Sequence, residues 1–120
     1  MEWTDGRIRS FITTVLRSGM RRWPPKWNVL KSSATTKQIN KSSGRMAQHY
    51  RCAKCKGEFS STGVQVDHKH PAVDPKVGFV SWDEFIKRLF VKESQLQTLC
   101  KACHKKKTKK EQQKRNEDTL

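Results

Sequence analysis

The sequence predicts a small α+β domain closed by a zinc site, and three observations support that prediction. The chain has 120 residues and only 33% hydrophobic residues, enough for one domain with a thin core. A strand-like segment and a helix-like segment lie between two Cys-x-x-Cys pairs. Four thiolates can close a tetrahedral zinc site, which would supply stability that the thin core lacks. The pairs are Cys52/Cys55 and Cys100/Cys103.

The N-terminal region, residues 1–30, begins with a predicted amphipathic helix over 5–20. Thr4 is a suitable N-cap residue, and Asp5 in the first turn complements the helix dipole. Trp23-Pro24-Pro25 should end the helix, and the apolar residues that follow, Trp27, Val29 and Leu30, should fold back onto its apolar stripe. A basic amphipathic helix could also lie on a membrane, but so small a protein needs the stripe for packing. The stripe contains Ile8, Phe11, Ile12, Val15, Leu16 and Met20.

Residues 31–48 are rich in Ser, Thr and Lys and contain almost no apolar side chains. Such a composition predicts a flexible basic linker. The zinc module is expected to follow over residues 49–112, and residues 113–120 are expected to form a C-terminal tail. In the module, the residues from Cys52 to Gly57 predict a zinc knuckle, with the glycine allowing the tight turn.

The remaining elements of the module follow from periodicity and capping. Residues 64–68 alternate apolar and polar and predict a strand, which Pro71 ends before an irregular loop over 71–80. Ser81, with Glu84 three residues later, forms a capping box for a helix. Residues 96–99 predict a second strand, and 101–115 a helix without an apolar face, which only zinc ligation could hold. The buried face of the middle helix is predicted to contain Trp82, Phe85, Ile86, Leu89 and Phe90.

The charge of the chain indicates its partner. The net charge is +15, with a pI near 10.1, which favours a polyanion: nucleic acid first, an acidic membrane second. Residues 1–55 and 101–120 are strongly basic, whereas residues 56–100 carry six charges of each sign. This pattern suggests a reactive centre held on a polyanion by basic flanks. Neither a signal peptide nor a membrane-spanning run is apparent, so we expect a cytoplasmic protein whose paired cysteines bind metal.

Asp67, His68 and His104 are the residues with catalytic chemistry. A carboxylate is a hard ligand for Mg²⁺ or Mn²⁺, and a neutral imidazole can act as a general base. Hydrolysis of a phosphodiester needs both a cation and a base. On a helix, His104 is turned about 100° from Cys103, so it should not join the same zinc. His70 is the rival base, and we prefer His68.

These motifs together resemble the HNH nucleases, most closely the zinc-stabilised HNH endonucleases often carried by bacteriophages. The resemblance covers about residues 46–110. It implies a ββα-metal finger: two strands and a helix around one catalytic divalent ion. The motif residues are Cys52-x-x-Cys55, Val66-Asp67-His68-x-x-Pro71, Leu96-Gln97-x-Leu99-Cys100-x-x-Cys103-His104 and Lys107.

The resemblance also implies roles for individual residues. Asp67 and His104 would bind the catalytic Mg²⁺ or Mn²⁺, His68 would activate water, and the four cysteines would hold structural Zn²⁺. The family's middle Asn usually braces the loop that carries the base, and here Gln95 occupies its place. Glutamine has the same amide on a longer side chain, so we expect a looser brace.

The sequence thus predicts a metal-dependent endonuclease acting on double-stranded DNA, with a phage or host protein as a further candidate partner. A zinc-stabilised protein that binds DNA without cutting it is the alternative, and RNA is the alternative substrate. Oligomeric state and target sequence are left open. The basic residues expected to contact phosphates are Lys105, Lys106, Lys107, Lys109, Lys110, Arg21 and Arg22.

Overall fold

Helices and two small antiparallel sheets form the fold of residues 2–117, the part of the chain that the computed structural model describes. The α+β class is therefore confirmed. The helices are α1 (Asp5–Gly19), α2 (Pro24–Ser32), α3 (Trp82–Leu89) and α4 (Lys101–Glu117). The strands are β1 (Ala34–Ile39), β2 (Met46–Arg51), β3 (Glu58–Ser60), β4 (Val64–His68) and β5 (Leu96–Cys100). The predicted tail is helical as far as Glu117, and residues 118–120 of it lie outside the described part.

Helix α1 begins as predicted, because the Thr4 hydroxyl accepts a hydrogen bond from the backbone N–H of Arg7 at 3.2 Å. It ends at Gly19 and continues into a 3₁₀ turn over Met20–Arg22. Pro24 then opens α2, a helix that the sequence analysis missed. Proline suits the first turn of a helix, where its missing N–H costs no hydrogen bond. The Pro24-Pro25 dipeptide therefore prevents the preceding helix from continuing and begins α2.

The apolar stripe of α1 is divided between core and solvent. Its C-terminal end, Leu16 and Met20, packs against α3, whereas Phe11 and Val15 are exposed. The prediction that Trp27 folds back onto the stripe is wrong, because its ring is exposed and its indole N–H donates to the Arg21 carbonyl. None of the helices in residues 2–117 is long and apolar enough to cross a membrane.

The main apolar core lies between α1, the loop before α3, and α3 itself. Phe85 and Leu89 of α3 are 2% and 1% exposed. The helix starts where predicted, since the Ser81 hydroxyl accepts from the backbone N–H of Glu84. Ile86, predicted to be buried, is 41% exposed and points away from this core. Partly buried side chains complete the core: Leu16, Trp23, Val73, Phe79, Trp82 and Phe90.

Strands β1, β2 and β3 form an antiparallel sheet over part of the segment predicted to be a flexible linker. That prediction is wrong for residues 34–39 and 46–48. Composition suggested disorder because the segment lacks apolar residues, but an antiparallel ladder forms through backbone hydrogen bonds. A turn joins β1 to β2, closed by the Asn40 N–H donating to the Arg45 carbonyl at 2.7 Å. Gly44 in this turn adopts a φ of +72°, which glycine tolerates best.

Strands β4 and β5 form the second sheet and position the site. They pair antiparallel, with Val64 opposite Cys100, Asp67 opposite Gln97, and His68 opposite Leu96. Helix α4 follows β5 without a loop, so its first turn lies beside the end of the sheet. Both strands and the final helix occur where the sequence predicted them. The register brings the Asp67-His68 dipeptide into the region between α3 and α4.

Candidate functional site

The four cysteines form one cluster. Their sulfur atoms all lie within 4.8 Å of one another, and Cys55 Sγ and Cys100 Sγ are 3.9 Å apart. A tetrahedral zinc ion with bonds of about 2.3 Å holds its sulfurs about 3.8 Å apart, so the donor set fits. The cluster is therefore compatible with a structural metal such as zinc. It ties together the end of β2, the end of β5 and the first turn of α4.

The knuckle that carries the first pair turns at Lys56, which adopts a φ of +64°, and not at Gly57 as predicted. Glycine is needed at 57 for a different reason. A Cβ there would lie 2.9 Å from Cε2 of the Phe59 ring, closer than side chains approach. The ring in turn packs against Cys52, Leu99 and Cys100, the small buried cluster on this side of the molecule.

The thiols differ in acidity within the cluster. Burial raises the pKa of Cys52, but hydrogen bonds from backbone N–H groups, that of Cys100 first, outweigh burial and lower it to about 6. Neighbouring thiols, first that of Cys100, raise the pKa of Cys103 to about 12. The surroundings thus favour the thiolate of Cys52 and oppose ionisation of Cys103 beside it. A bound cation would remove this repulsion, which is the electrostatic condition for a thiolate metal site.

Asp67 and His104 come together across β4 and α4, as expected. His104 Nε2 lies 3.7 Å from Asp67 Oδ1. His104 is not part of the cysteine cluster, so the helical turn separates it from Cys103 as predicted. Asp67 Oδ2 is fully buried and has no hydrogen bond among the described residues. A buried carboxylate oxygen without a hydrogen bond needs a positive partner, and a cation site satisfies that need.

Lys107 currently supplies this positive charge. Its Nζ lies 2.9 Å from Asp67 Oδ2, close enough for an ion pair but not aligned for a hydrogen bond, and 2.5 Å from Glu111 Oε1. Burial lowers the pKa of Lys107, but Glu111 and Asp67 outweigh burial and raise it. We predicted Lys107 as a phosphate contact, and the structure places it between two carboxylates. Glu111 was missed, although its position four residues after Lys107 on one helix face was a usable signal.

His68 contacts a different element from Asp67. Its Nε2 lies 2.6 Å from the backbone carbonyl of Leu89, at the end of α3. A carbonyl can only accept, so Nε2 carries the proton and Nδ1 keeps a lone pair. Asp67 thus contacts α4, whereas His68, the last residue of β4, contacts the end of α3. This contact leaves Nδ1 as the ring nitrogen that is free to accept a proton.

Gln95 does not form the side-chain brace that we predicted. Its side chain is exposed and makes no hydrogen bond to residues 2–117. The link to the loop after His68 runs through the backbone, because the Gln95 carbonyl accepts from the Lys69 N–H at 2.9 Å. Any residue at this position can make that bond. The departure from the family's asparagine therefore leaves the backbone connection between the two segments intact.

A cavity of about 610 Å³ opens beside the cysteine cluster and α4. Several lysines and His70 line this cavity, which makes it suited to phosphate groups. Lys54 and Lys69 were missed by the sequence analysis, because it selected only the lysine-rich segment after His104 and the Arg21-Arg22 pair. The predicted contacts Lys105, Lys109, Arg21 and Arg22 are exposed but do not line it. The lysines that do are Lys54, Lys69, Lys106, Lys107 and Lys110.

No protein-family model, curated protein or solved structure matches this chain. The likeness to HNH nucleases therefore rests on the motif residues alone. In the structure Asp67 contacts His104, His68 contacts the Leu89 carbonyl, and the four cysteines form one cluster.

Proposed function

We propose that this protein is a metal-dependent endonuclease of HNH type that hydrolyses phosphodiester bonds in duplex DNA. The observation that carries the proposal is the Asp67–His104 pair, in which an imidazole and a largely buried carboxylate meet, with Lys107 as the cation beside that carboxylate. Two antiparallel strands followed by a helix, β4, β5 and α4, support it as the scaffold. The lysine-lined cavity supports a phosphate substrate.

Asp67 and His104 are the ligands that would hold the catalytic Mg²⁺ or Mn²⁺. A carboxylate suits both ions, and an imidazole is accepted by Mn²⁺ in particular. When bound, the ion would stabilise the negative charge that develops on the phosphate and the leaving oxygen. The Lys107 ammonium lies beside the same carboxylate and would compete with the ion for Asp67. Glu111 is a second carboxylate with which Lys107 can pair when the ion binds Asp67.

His68 is the proposed general base. Its Nδ1 accepts a proton from water, while the Leu89 carbonyl holds Nε2–H and stabilises the imidazolium that forms. The water oxygen then forms a bond to phosphorus, the bond from phosphorus to the leaving oxygen breaks, and the leaving oxygen takes a proton from solvent water. Positioned general bases of this kind contribute about 10²- to 10⁴-fold to rate.

The cysteine cluster serves this chemistry as a structural zinc site. Helix α4 has almost no apolar face, so its packing alone would not fix the position of His104. Cys103 lies directly before His104 in the chain, and its ligation would hold the first turn of the helix. The zinc thus supports the site and takes no part in the reaction.

The test is cleavage of supercoiled plasmid with Mn²⁺. We expect the wild-type protein to nick or linearise the plasmid, and His68→Ala to lose about 10²-fold or more of the rate. His70→Ala, two residues away, tests the rival base: because His70 lines the phosphate cavity, its loss should weaken DNA binding but leave the rate at saturating DNA near that of the wild type. Competition between duplex DNA and duplex RNA for cleavage identifies the nucleic acid.

A zinc-stabilised protein that binds DNA without cutting it is the second candidate. The observation in its favour is Lys107, whose ammonium already neutralises Asp67. Wild type and His68→Ala that shift DNA equally while leaving plasmid intact would establish this candidate in place of the nuclease. An equal affinity for Mn²⁺ in wild type and Asp67→Asn would also support the candidate that binds DNA without cutting it.

A further inference from the structure

The hairpin of β1 and β2 extends beyond the rest of its sheet. Strand β3 pairs only with His49, Tyr50 and Arg51 of β2. Residues 46–48 therefore pair with β1 alone, and we call residues 37–48 the β-ribbon. The ribbon is two strands wide, and its turn over 41–45 is exposed throughout. Two-stranded ribbons of this kind are among the elements that proteins place in a groove of DNA.

An apolar pair lies at the tip of the β-ribbon. Ile39 and Met46 are directly opposite each other in the ladder, so their side chains lie on the same face. Each is 63% exposed. Neither contributes to the two buried clusters of residues 2–117. Adjacent exposed apolar side chains at the end of a protruding element are suited to insertion into an apolar environment.

The charge around this pair selects the partner. Residues 34–51 contain no acidic residue. Arg51, at the base, pairs with Glu58, whereas Lys37, Lys41 and Arg45, near the tip, form no ion pair with the described residues. Three unpaired cations beside two apolar side chains match the surface of duplex DNA, where phosphates flank stacked bases. Isoleucine and methionine are among the side chains that proteins wedge between base steps.

We propose that the β-ribbon enters the minor groove of duplex DNA, with Ile39 and Met46 wedged between base pairs and Lys37, Lys41 and Arg45 on the flanking phosphates. This inference rests on the proposed function for its partner, duplex DNA. It adds that binding deforms the DNA: the wedge unstacks a base step and bends the helix. The basic residues contribute affinity without sequence preference, and the wedge favours easily unstacked steps.

DNA topology provides a test that needs no knowledge of the binding site. The protein, as the His68→Ala variant to prevent cutting, is incubated with plasmid and a metal-independent type I topoisomerase. Wedge insertion should leave the relaxed plasmid with a changed linking number. Ile39→Ser/Met46→Ser should abolish this change and weaken binding about tenfold. Lys37→Gln/Lys41→Gln/Arg45→Gln should lower the salt dependence of binding by about one unit of slope per lost phosphate contact.

Val77→Ser/Val80→Ser is the matched control. These valines are 65% and 66% exposed and lie in the loop before α3, so the control removes similar apolar surface elsewhere. It should leave both the linking change and the affinity unaltered. The inference is overturned if the ribbon variant keeps the full linking change, if both serine pairs behave alike, or if the protein does not bind DNA.

The two proposals fail in different ways. Plasmid cleaved by wild type with Mn²⁺, but with no linking change for His68→Ala, would remove the wedge and keep the nuclease. A linking change without any cleavage by wild type would keep the wedge and remove the nuclease. Because the ribbon substitutions are at exposed positions, circular dichroism should show an unaltered fold in every variant.

Discussion

Two helices flank the candidate site, and they are held in opposite ways. Helix α3 is short, and its Phe85 and Leu89 are buried in an apolar core. Helix α4 is about twice as long but almost wholly polar, and it is tied to the molecule through Cys103 and the cysteine cluster. A metal bound by these cysteines would fix a basic surface helix where packing would otherwise demand apolar residues.

Strand β4 connects these two halves. Asp67 contacts α4, through His104 and Lys107, while the adjacent His68 contacts the end of α3. The proposed metal ligands therefore depend on the cysteine cluster, and the proposed base depends on the apolar core. Substitutions in the cysteine cluster should therefore affect the metal ligands, and substitutions in the apolar core should affect the base.

The largest expected effect is that of Cys100→Ser. Structural zinc contributes about 10–16 kcal/mol in zinc-finger peptides, comparable with the whole free energy of unfolding of a domain, about 5–15 kcal/mol. We expect the helical signal in circular dichroism to fall and bound zinc, measured by elemental analysis, to be lost. A chelator added to the wild-type protein should reproduce the change. An unaltered spectrum for Cys100→Ser would mean that α4 is held by other contacts.

Phe85→Ala should have the next largest effect. Removing this buried ring should lower the free energy of unfolding by about 3–5 kcal/mol, measured by urea denaturation. Ile86→Ala, on the exposed side of the same helix, is the control and should cost much less. Below the unfolding transition, Phe85→Ala should keep its zinc, unlike Cys100→Ser. Loss of zinc from Phe85→Ala below the transition would show that the apolar core and the cysteine cluster unfold as one cooperative unit.

Lys107→Met should change metal binding more than stability. Without the ammonium near Asp67, affinity for Mn²⁺ should rise about tenfold, measured by titration calorimetry or electron paramagnetic resonance. Lys106→Met, its neighbour on α4, is the control for loss of one charge. An equal affinity in both variants would show that Lys107 does not compete with the ion.

The pH dependence of Lys107 has a defined sign. Its pKa is raised above 10.5 in the folded protein, with burial opposing the shift and Glu111 and Asp67 causing it. The stability that it contributes is therefore complete below pH 10.5 and is lost as the pH rises through the raised value. The difference in melting temperature between wild type and Lys107→Met should shrink over that range. A constant difference would assign the effect to packing of the side chain.

The smallest expected effect is that of Ser81→Ala, which removes the cap of α3. The loss should be about 1 kcal/mol of unfolding free energy. Ser94→Ala, at an exposed serine in the short 3₁₀ turn over Glu93–Gln95, is the control and should be neutral. Because the cap belongs to the apolar half, zinc content should stay unchanged. A Ser94→Ala cost equal to that of Ser81→Ala would remove the evidence for the cap.

The amino-acid sequence by itself determined the local features of the protein. The Thr4 and Ser81 caps, the strand over 64–68 and the polar final helix follow from residue type and spacing over a few positions. The four-cysteine cluster was also predictable, because metal ligands have few spacings and fixed donor types. The turn of His104 away from Cys103 followed from helix geometry, whereas its place beside Asp67 was implied by the resemblance to HNH nucleases.

Only the tertiary structure decided which partners these elements meet. The β1–β2 hairpin depends on backbone bonds between strands, which a polar composition conceals. The burial of Phe85 and the exposure of Ile86 depend on where α1 lies, and the Leu89 carbonyl became a partner of His68 through folding. Contacts between residues distant in sequence arise from the combined packing of all elements, so residue type and spacing do not specify them.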